Sequence, residues 1–305
     1  MTEPKYIYKL NSVIKQLKDE DLVPALFLME MDKEFNTFYG FNRELDKILM
    51  RNFNQILNSS KELNEIRKTI LNYYSTQDQK YIDDFTREVE DLNFQLPNRG
   101  KDILKYQSNP RLLAFALNYY NVKFRYEDNI INKINNPFYK FLFIIYCHPI
   151  YSQRTTDLNR IEDRFSGIIN SHPIHFQKND TIDFYIWAKN YMDDNDKYDS
   201  KVYTPITNEE YRTTVNIIFD KLFDENKDIY AALKEKLSNA WYQKKYRQKN
   251  KGKKAHHYVL QKNTLIALES LASKRKLTHE KIIENLINEH YVKECADPNS
   301  GDSLY

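Results

Sequence analysis

Apolar residues recur along most of this chain at three- and four-residue spacing, the period of a helix that buries one face. Leu45, Ile48, Leu49, Phe53, Ile56 and Leu57 form one such stripe. Leu63, Ile66, Ile70 and Leu71 resume it after the polar break Asn58-Ser59-Ser60. Tyr81, Phe85, Val89 and Leu92 mark a further helix, closed off by the breaker Leu96-Pro97-Asn98-Arg99-Gly100. Pro110 falls in the first turn of a helix carrying Leu112, Leu113, Phe115, Ala116 and Tyr119, where its missing N–H is one that the helix leaves unbonded anyway. Pro137 opens an aromatic-rich run to Tyr146 that Cys147-His148-Pro149 ends. Ile182 to Met192 reads as one more helix before the polar stretch Asp193-Asp194-Asn195-Asp196-Lys197. Thr207 suits the cap of the next, with Glu209 and Glu210 in its first turn. Val23 to Met31 is ambiguous between helix and buried strand, and no solenoid period is present.

Composition agrees with a mainly helical chain. Its 305 residues suffice for one large domain or two. Only 5 Gly and 9 Pro argue against a loop-rich all-β fold. Asn, Lys, Ile and Tyr are abundant, a bias that AT-rich coding DNA produces, so no single Lys or Asn carries weight. Cys147 and Cys295 form no CxxC spacing, which excludes a zinc motif built on one and suits a reducing, cytoplasmic setting. The N-terminus lacks the apolar core of a signal peptide, and the longest apolar stretch is too short to span a bilayer.

Charge changes the picture more than composition does. Residues 241–305 hold 13 Lys and Arg against 7 Asp and Glu, a net of +6, while the preceding 240 residues net −3. The excess begins in a helix from Asn226 whose apolar stripe is Ile229, Leu233, Leu237, Ala240 and Trp241. Beyond Trp241 the same helix turns basic, with Lys244, Lys245, Arg247, Lys249 and Lys251, and then Lys253 and Lys254. No acid interrupts residues 242–254, and Gly252 marks the exit from the helix. Alone, such a run fits a solvated face as well as a phosphate-binding one.

The residues after this run favour nucleic acid. Residues 255–261, Ala-His-His-Tyr-Val-Leu-Gln, have the aromatic and β-branched content of a short strand. Leu265, Leu268, Leu271 and Ala272 then give a helical stripe ending in Lys274-Arg275-Lys276, cations placed where a helix dipole favours them. Thr278 suits an N-cap and Glu280 the first turn of a second helix, whose stripe is Ile282, Ile283, Leu286 and Ile287 and which ends near Tyr291. One strand and two short helices cannot fold alone, because the strand has no partner and the helices bury too little. A second copy supplies both needs: two strands pair antiparallel across a two-fold axis, and four helices enclose one core. The DNA major groove admits a two-stranded ribbon of this kind.

The stretch from Lys253 to Gln261, the helix to Lys276 and Leu277-Thr278-His279-Glu280-Lys281-Ile282-Ile283 resemble the ribbon-helix-helix family of DNA-binding proteins, its MatP-like and CopG-like members most of all. The resemblance covers about the last fifth of the chain. It departs from the pattern at Lys276, where the family often carries Gly. The family implies that alternate strand residues face the bases. In one register Ala255, His257 and Val259 face the groove and Tyr258 and Leu260 face inward. The opposite register exposes His256 and Tyr258, buries Val259 and also exposes Leu260. A one-residue slip exchanges the two, and the first is preferred. The resemblance further implies that Lys253 and Lys254 touch the DNA backbone and that the helix start at Thr278 and His279 offers N–H groups to a phosphate.

Other motifs are weaker. His172-Pro173-Ile174-His175 lacks further ligands at metal spacing, so its histidines read as structural or surface residues. Asp193, Asp194 and Asp196 lack the glycine and terminal glutamate of a calcium loop. No phosphate-binding glycine loop or nucleophile elbow occurs. The expected fold is mainly α. A helical body over 1–225 leads to an amphipathic-to-basic connecting helix over 226–252, then a ribbon-helix-helix unit over 253–293 and a flexible tail over 294–305. The expected function is a dimeric DNA-binding protein, either a transcriptional or replicon-maintenance regulator or a nucleoid organiser. It would dimerise through 255–291, with no cofactor, metal or membrane partner. The alternative is a nucleic-acid-acting enzyme whose C-terminal unit targets a catalytic body, which would need carboxylates or histidines converging in a pocket.

Overall fold

The structure is a computed structural model that describes residues 4–35, 43–95, 101–123, 131–148, 154, 156–195, 203–251 and 258–295. Those residues form fourteen α-helices and no strand. In order they are α1 (Lys5–Gln16), α2 (Leu22–Phe35), α3 (Arg43–Ser59), α4 (Leu63–Tyr74), α5 (Gln79–Gln95), α6 (Leu104–Ser108) and α7 (Pro110–Lys123), then α8 (Pro137–Tyr146), α9 (Asp157–Ser171), α10 (Ile182–Asp193), α11 (Asn208–Glu225), α12 (Lys227–Lys249), α13 (Lys262–Arg275) and α14 (His279–Cys295). Among the described residues no helix is long and apolar enough to cross a membrane. The chain divides into an N-terminal unit, Met1–Gln243, and a C-terminal unit, Lys244–Tyr305. The boundary falls inside α12.

Two cores hold the N-terminal unit. The larger draws on α1 to α9. The ambiguous segment Val23–Met31 is helix α2, packed against α3, α4, α5 and α8. Burial of Leu22, Val23, Ala25, Leu26 and Met29 around it leaves no polar face, which is why its period was illegible. Pro24 is tolerated because it lies in the first turn. Helix α8 is likewise buried at every position but Pro137 and Lys140. Asn136 caps it by accepting from the N–H groups of Phe138 and Tyr139, and Pro137 is its first residue. Stacked rings lock neighbouring helices, Tyr74 on Phe85 at 3.9 Å and Tyr106 on Phe141 at 4.4 Å. Such pairs add about 0.5–1.5 kcal/mol each beyond area burial. Arg67 on α4 donates to the carbonyls of Ile14 and Leu17, satisfying groups left open at the end of α1.

The smaller core joins Phe176, α10, α11 and the first half of α12. Tyr230, Leu233, Leu237 and Trp241 are the buried residues of α12. The stripe was expected to begin at Ile229, which instead is 46% exposed. Repeated four-residue spacing drifts about 40° per step on a 3.6-residue helix, so Ile229 slips to the rim and Tyr230 takes the central place.

Three further expectations need correction. The strand over 255–261 is absent from its described part, residues 258–261, since a lone strand has nothing to pair with inside one chain. The second C-terminal helix runs past Tyr291 to Cys295, so the expected tail boundary at 294 lies within it. Asp193, expected to open the polar stretch after the helix, is instead the last residue of α10 and is paired with Lys189 at 2.5 Å. Gly252, at the expected helix exit, lies outside the described residues.

Candidate nucleic-acid interface

The cations expected to meet DNA fall mostly on α12. Lys244, Lys245, Arg247 and Lys249 occupy its last turns, and Lys251 stands in the turn just beyond it. Lys244 is half-buried and the other four are exposed. Cations at a helix C-terminus are favoured by the dipole, which accounts for Arg247 and Lys249. It does not account for the full run. Lys244 with Arg247 and Lys245 with Lys249 are like charges at helical neighbour spacing, a local cost of about 0.2–0.5 kcal/mol per pair. The run itself contains no acid. Lys253, Lys254, Ala255 and His257 lie outside the described residues.

The segment leading into α13 carries Val259, fully exposed, and Leu260, which packs against the small core of the C-terminal unit. Tyr258, expected to point inward, is 69% exposed in the single chain. That core consists of Leu268, Ala272 and Ile282, with Leu260, Leu271 and Ile283 partly buried against it. Helices α13 and α14 form a pair, but Leu265, Ile266, Leu286, Ile287, Tyr291 and Val292 remain in solvent.

The junction between α13 and α14 resolves the departure at Lys276. Its backbone is left-handed, φ 52°, the only positive φ of a non-glycine among the described residues. The Leu277 N–H donates to the Ala272 carbonyl at 3.1 Å, the six-to-one bond of a Schellman turn. Lysine therefore adopts the shape that glycine would take freely, with a Cβ–carbonyl clash. Thr278 Oγ1 then accepts from the Lys281 N–H at 3.3 Å and caps α14, leaving the N–H groups at His279 and Glu280 in its open first turn. Lys276→Gly is expected to stabilise the C-terminal unit by about 0.5–1 kcal/mol, and Thr278→Ala to destabilise it by about 1 kcal/mol. Hydrogen exchange of the α13 and α14 amides in the full chain reads both. Faster exchange in the glycine variant would mean that the turn is held in another shape.

In the N-terminal unit His175, read from sequence as structural or surface, belongs to a buried cluster whose other members sequence reasoning passed over. Arg111 on α7 grips Asp220 on α11 with two bonds, Nε to Oδ2 at 2.8 Å and an amino group to Oδ1 at 2.7 Å. It also donates to the Pro173 carbonyl at 2.5 Å. His175 Nε2 lies 2.8 Å from Asp220 Oδ1, and its Nδ1 lies 3.1 Å from the Tyr230 hydroxyl, which accepts from Lys234 Nζ at 3.0 Å. A neutral imidazole protonated on Nε2 satisfies every partner: it donates to Asp220 and accepts from Tyr230. Burial is the main cause that depresses the His175 pKa, opposed by the Asp220 carboxylate. Burial, aided by Asp220, pushes Tyr230 up to about 12. The cluster has the residue types that an enzymatic body requires, yet the His175 side chain is fully buried and Asp220 nearly so. It binds the 172–176 loop to α7, α11 and α12, and His175 is structural. No local motif marks it, because its members are scattered from residue 111 to residue 234. Among the described residues no group of three or more His, Cys, Asp and Glu side chains is placed to hold a metal ion.

Comparison of the chain with protein-family models, curated proteins and solved structures finds no match.

Proposed function

We propose that the chain is a dimeric DNA-binding protein. Its C-terminal unit completes a ribbon-helix-helix core only with a second copy, and the basic end of α12 joins the binding surface. The observation that carries this reading is the unfinished core of α13 and α14, set in one unit with a cation run that contains no acid. Two helices that bury three residues fully and leave six large apolar ones exposed are too little for a stable fold. A second α13–α14 pair of the same composition would cover those faces. In the pair, the segments containing Val259 would become adjacent strands, with Val259, Ala255 and His257 toward the groove. Lys253, Lys254 and the α12 cations would meet phosphates, as would the open first turn at Thr278 and His279. Only His257 among the three groove-facing residues has hydrogen-bonding chemistry for a base edge, so sequence specificity should be modest.

In solution the full chain is expected to have twice the mass of one chain. Its affinity for duplex DNA should fall steeply with salt, because each phosphate neutralised contributes about −0.9 to the slope of log affinity against log salt. Removing Lys249 or Lys251 should flatten that slope by about one for each phosphate that the side chain neutralises. A single-chain mass, or duplex binding indifferent to salt, would refute the reading.

A further inference from the structure

Tyr242 and Tyr246 are 71% and 60% exposed, while Tyr74, Tyr106, Tyr120 and Tyr185 are fully buried. The geometry of α12 explains why this pair escapes the core. At about 100° per residue, the stripe from Tyr230 to Trp241 occupies one side of the helix. Tyr242 and Tyr246 lie within about 40° of each other, roughly 140–180° from the centre of that stripe. Lys249 lies on the same side, about 20° from Tyr242, and Lys245 borders it about 60° from Tyr242, toward the stripe. The helix therefore carries two rings one turn apart, bordered by ammonium groups, on the side opposite its buried stripe.

We propose that this face of α12 holds unpaired nucleotides, with Tyr242 and Tyr246 stacked on bases and Lys245 and Lys249 against the backbone phosphates. The proposal rests on the nucleic-acid reading of the same cation run. Four residues of helix rise about 6 Å, close to twice the roughly 3.4 Å spacing of successive bases, so a base fits between the two rings. Aromatic platforms beside cations bind single strands with little sequence preference. Duplex DNA offers such rings little, since its base faces are already covered by their neighbours. The cation run supplies charge complementarity for a nucleic acid and contains no acid to attract a basic partner. The favoured partner thus carries an unpaired segment beside the duplex held by the C-terminal unit.

The test uses the full chain and two labelled probes of equal length, a thymidine homo-oligonucleotide and a duplex, with binding read by anisotropy. Tyr242→Ala and Tyr246→Ala are each expected to weaken single-strand binding about tenfold, and the double variant about a hundredfold. Duplex affinity should stay within about twofold, because the proposed duplex contacts of α12 run from its cations to phosphates and the rings have no unstacked base to meet. The two phenylalanine variants should bind as the parent does, because stacking needs the ring and not the hydroxyl. Phenylalanine variants as weak as the alanine ones, or equal losses on both probes, would assign the tyrosines to backbone contacts and overturn the proposal. An unchanged single-strand affinity in the double variant would overturn it while leaving the duplex reading intact. Salt-independent or absent binding of both probes would remove the nucleic-acid reading and this proposal together. Circular dichroism of each variant checks that α12 persists.

Discussion

Asp220→Ala should lower the stability of the N-terminal unit by about 3–5 kcal/mol, the cost of removing one partner from a buried ion pair. Against a total of about 5–15 kcal/mol for a domain, that is a severe loss. The substitution strands Arg111, whose side chain is only 16% exposed, and leaves the His175 Nε2–H without its acceptor in a site that water does not reach. Trp187 and Trp241, the two tryptophans of the chain, both belong to the core that adjoins this cluster, so denaturant unfolding followed by their fluorescence reports on it directly. A variant unfolding within about 1 kcal/mol of the parent would show that the cluster contributes little beyond an average substitution. The same transition should depend on pH. His175 is held below its ordinary value of 6.5 by burial, so the unfolded chain binds the extra proton first. Stability from this residue is complete above 6.5 and is lost as pH falls below it toward the folded value.

Ile287→Asp should convert the proposed dimer to single chains while leaving the fold of the N-terminal unit undisturbed. Ile287 is 58% exposed in the single chain, so the carboxylate is largely solvated there and costs only a few tenths of a kcal/mol, about the difference in helix propensity. In the proposed dimer the same position lies in the shared core. Burying an unpaired carboxylate there costs about 3 kcal/mol or more, a rise of over a hundredfold in the dimer dissociation constant. Sedimentation of the full chain should show a single-chain mass, with helix content reduced by no more than α13 and α14 contribute and duplex affinity sharply reduced. A variant that remains dimeric would move the interface away from α14.

Much of the helical framework was legible because its signals are local. Pro110 and Pro137 each begin a helix, Thr278 caps one, and the stripes of α3–α5, α13 and α14 reflect side-chain spacing alone. The candidate interface was legible in part for the same reason: seven cations without an acid are a property of the sequence. Two of its features were not. The tyrosines at 242 and 246 stand in that run in plain view, opposite the apolar stripe, but only the structure shows that no part of the core takes them up. The shape at Lys276 departs from residue preference, and the six-to-one bond to Ala272 holds it left-handed.

The sequence by itself determined the helices, their caps and the concentration of positive charge at one end, because propensity, capping and charge act over a few residues. Tertiary structure decided how those elements are used. It made Val23–Met31 a helix by surrounding it with others, and joined Arg111, His175, Asp220 and Tyr230 into one buried cluster. It also left six large apolar side chains of the α13–α14 pair exposed. Each of these is set by contacts between residues far apart in the chain, and no local pattern records them.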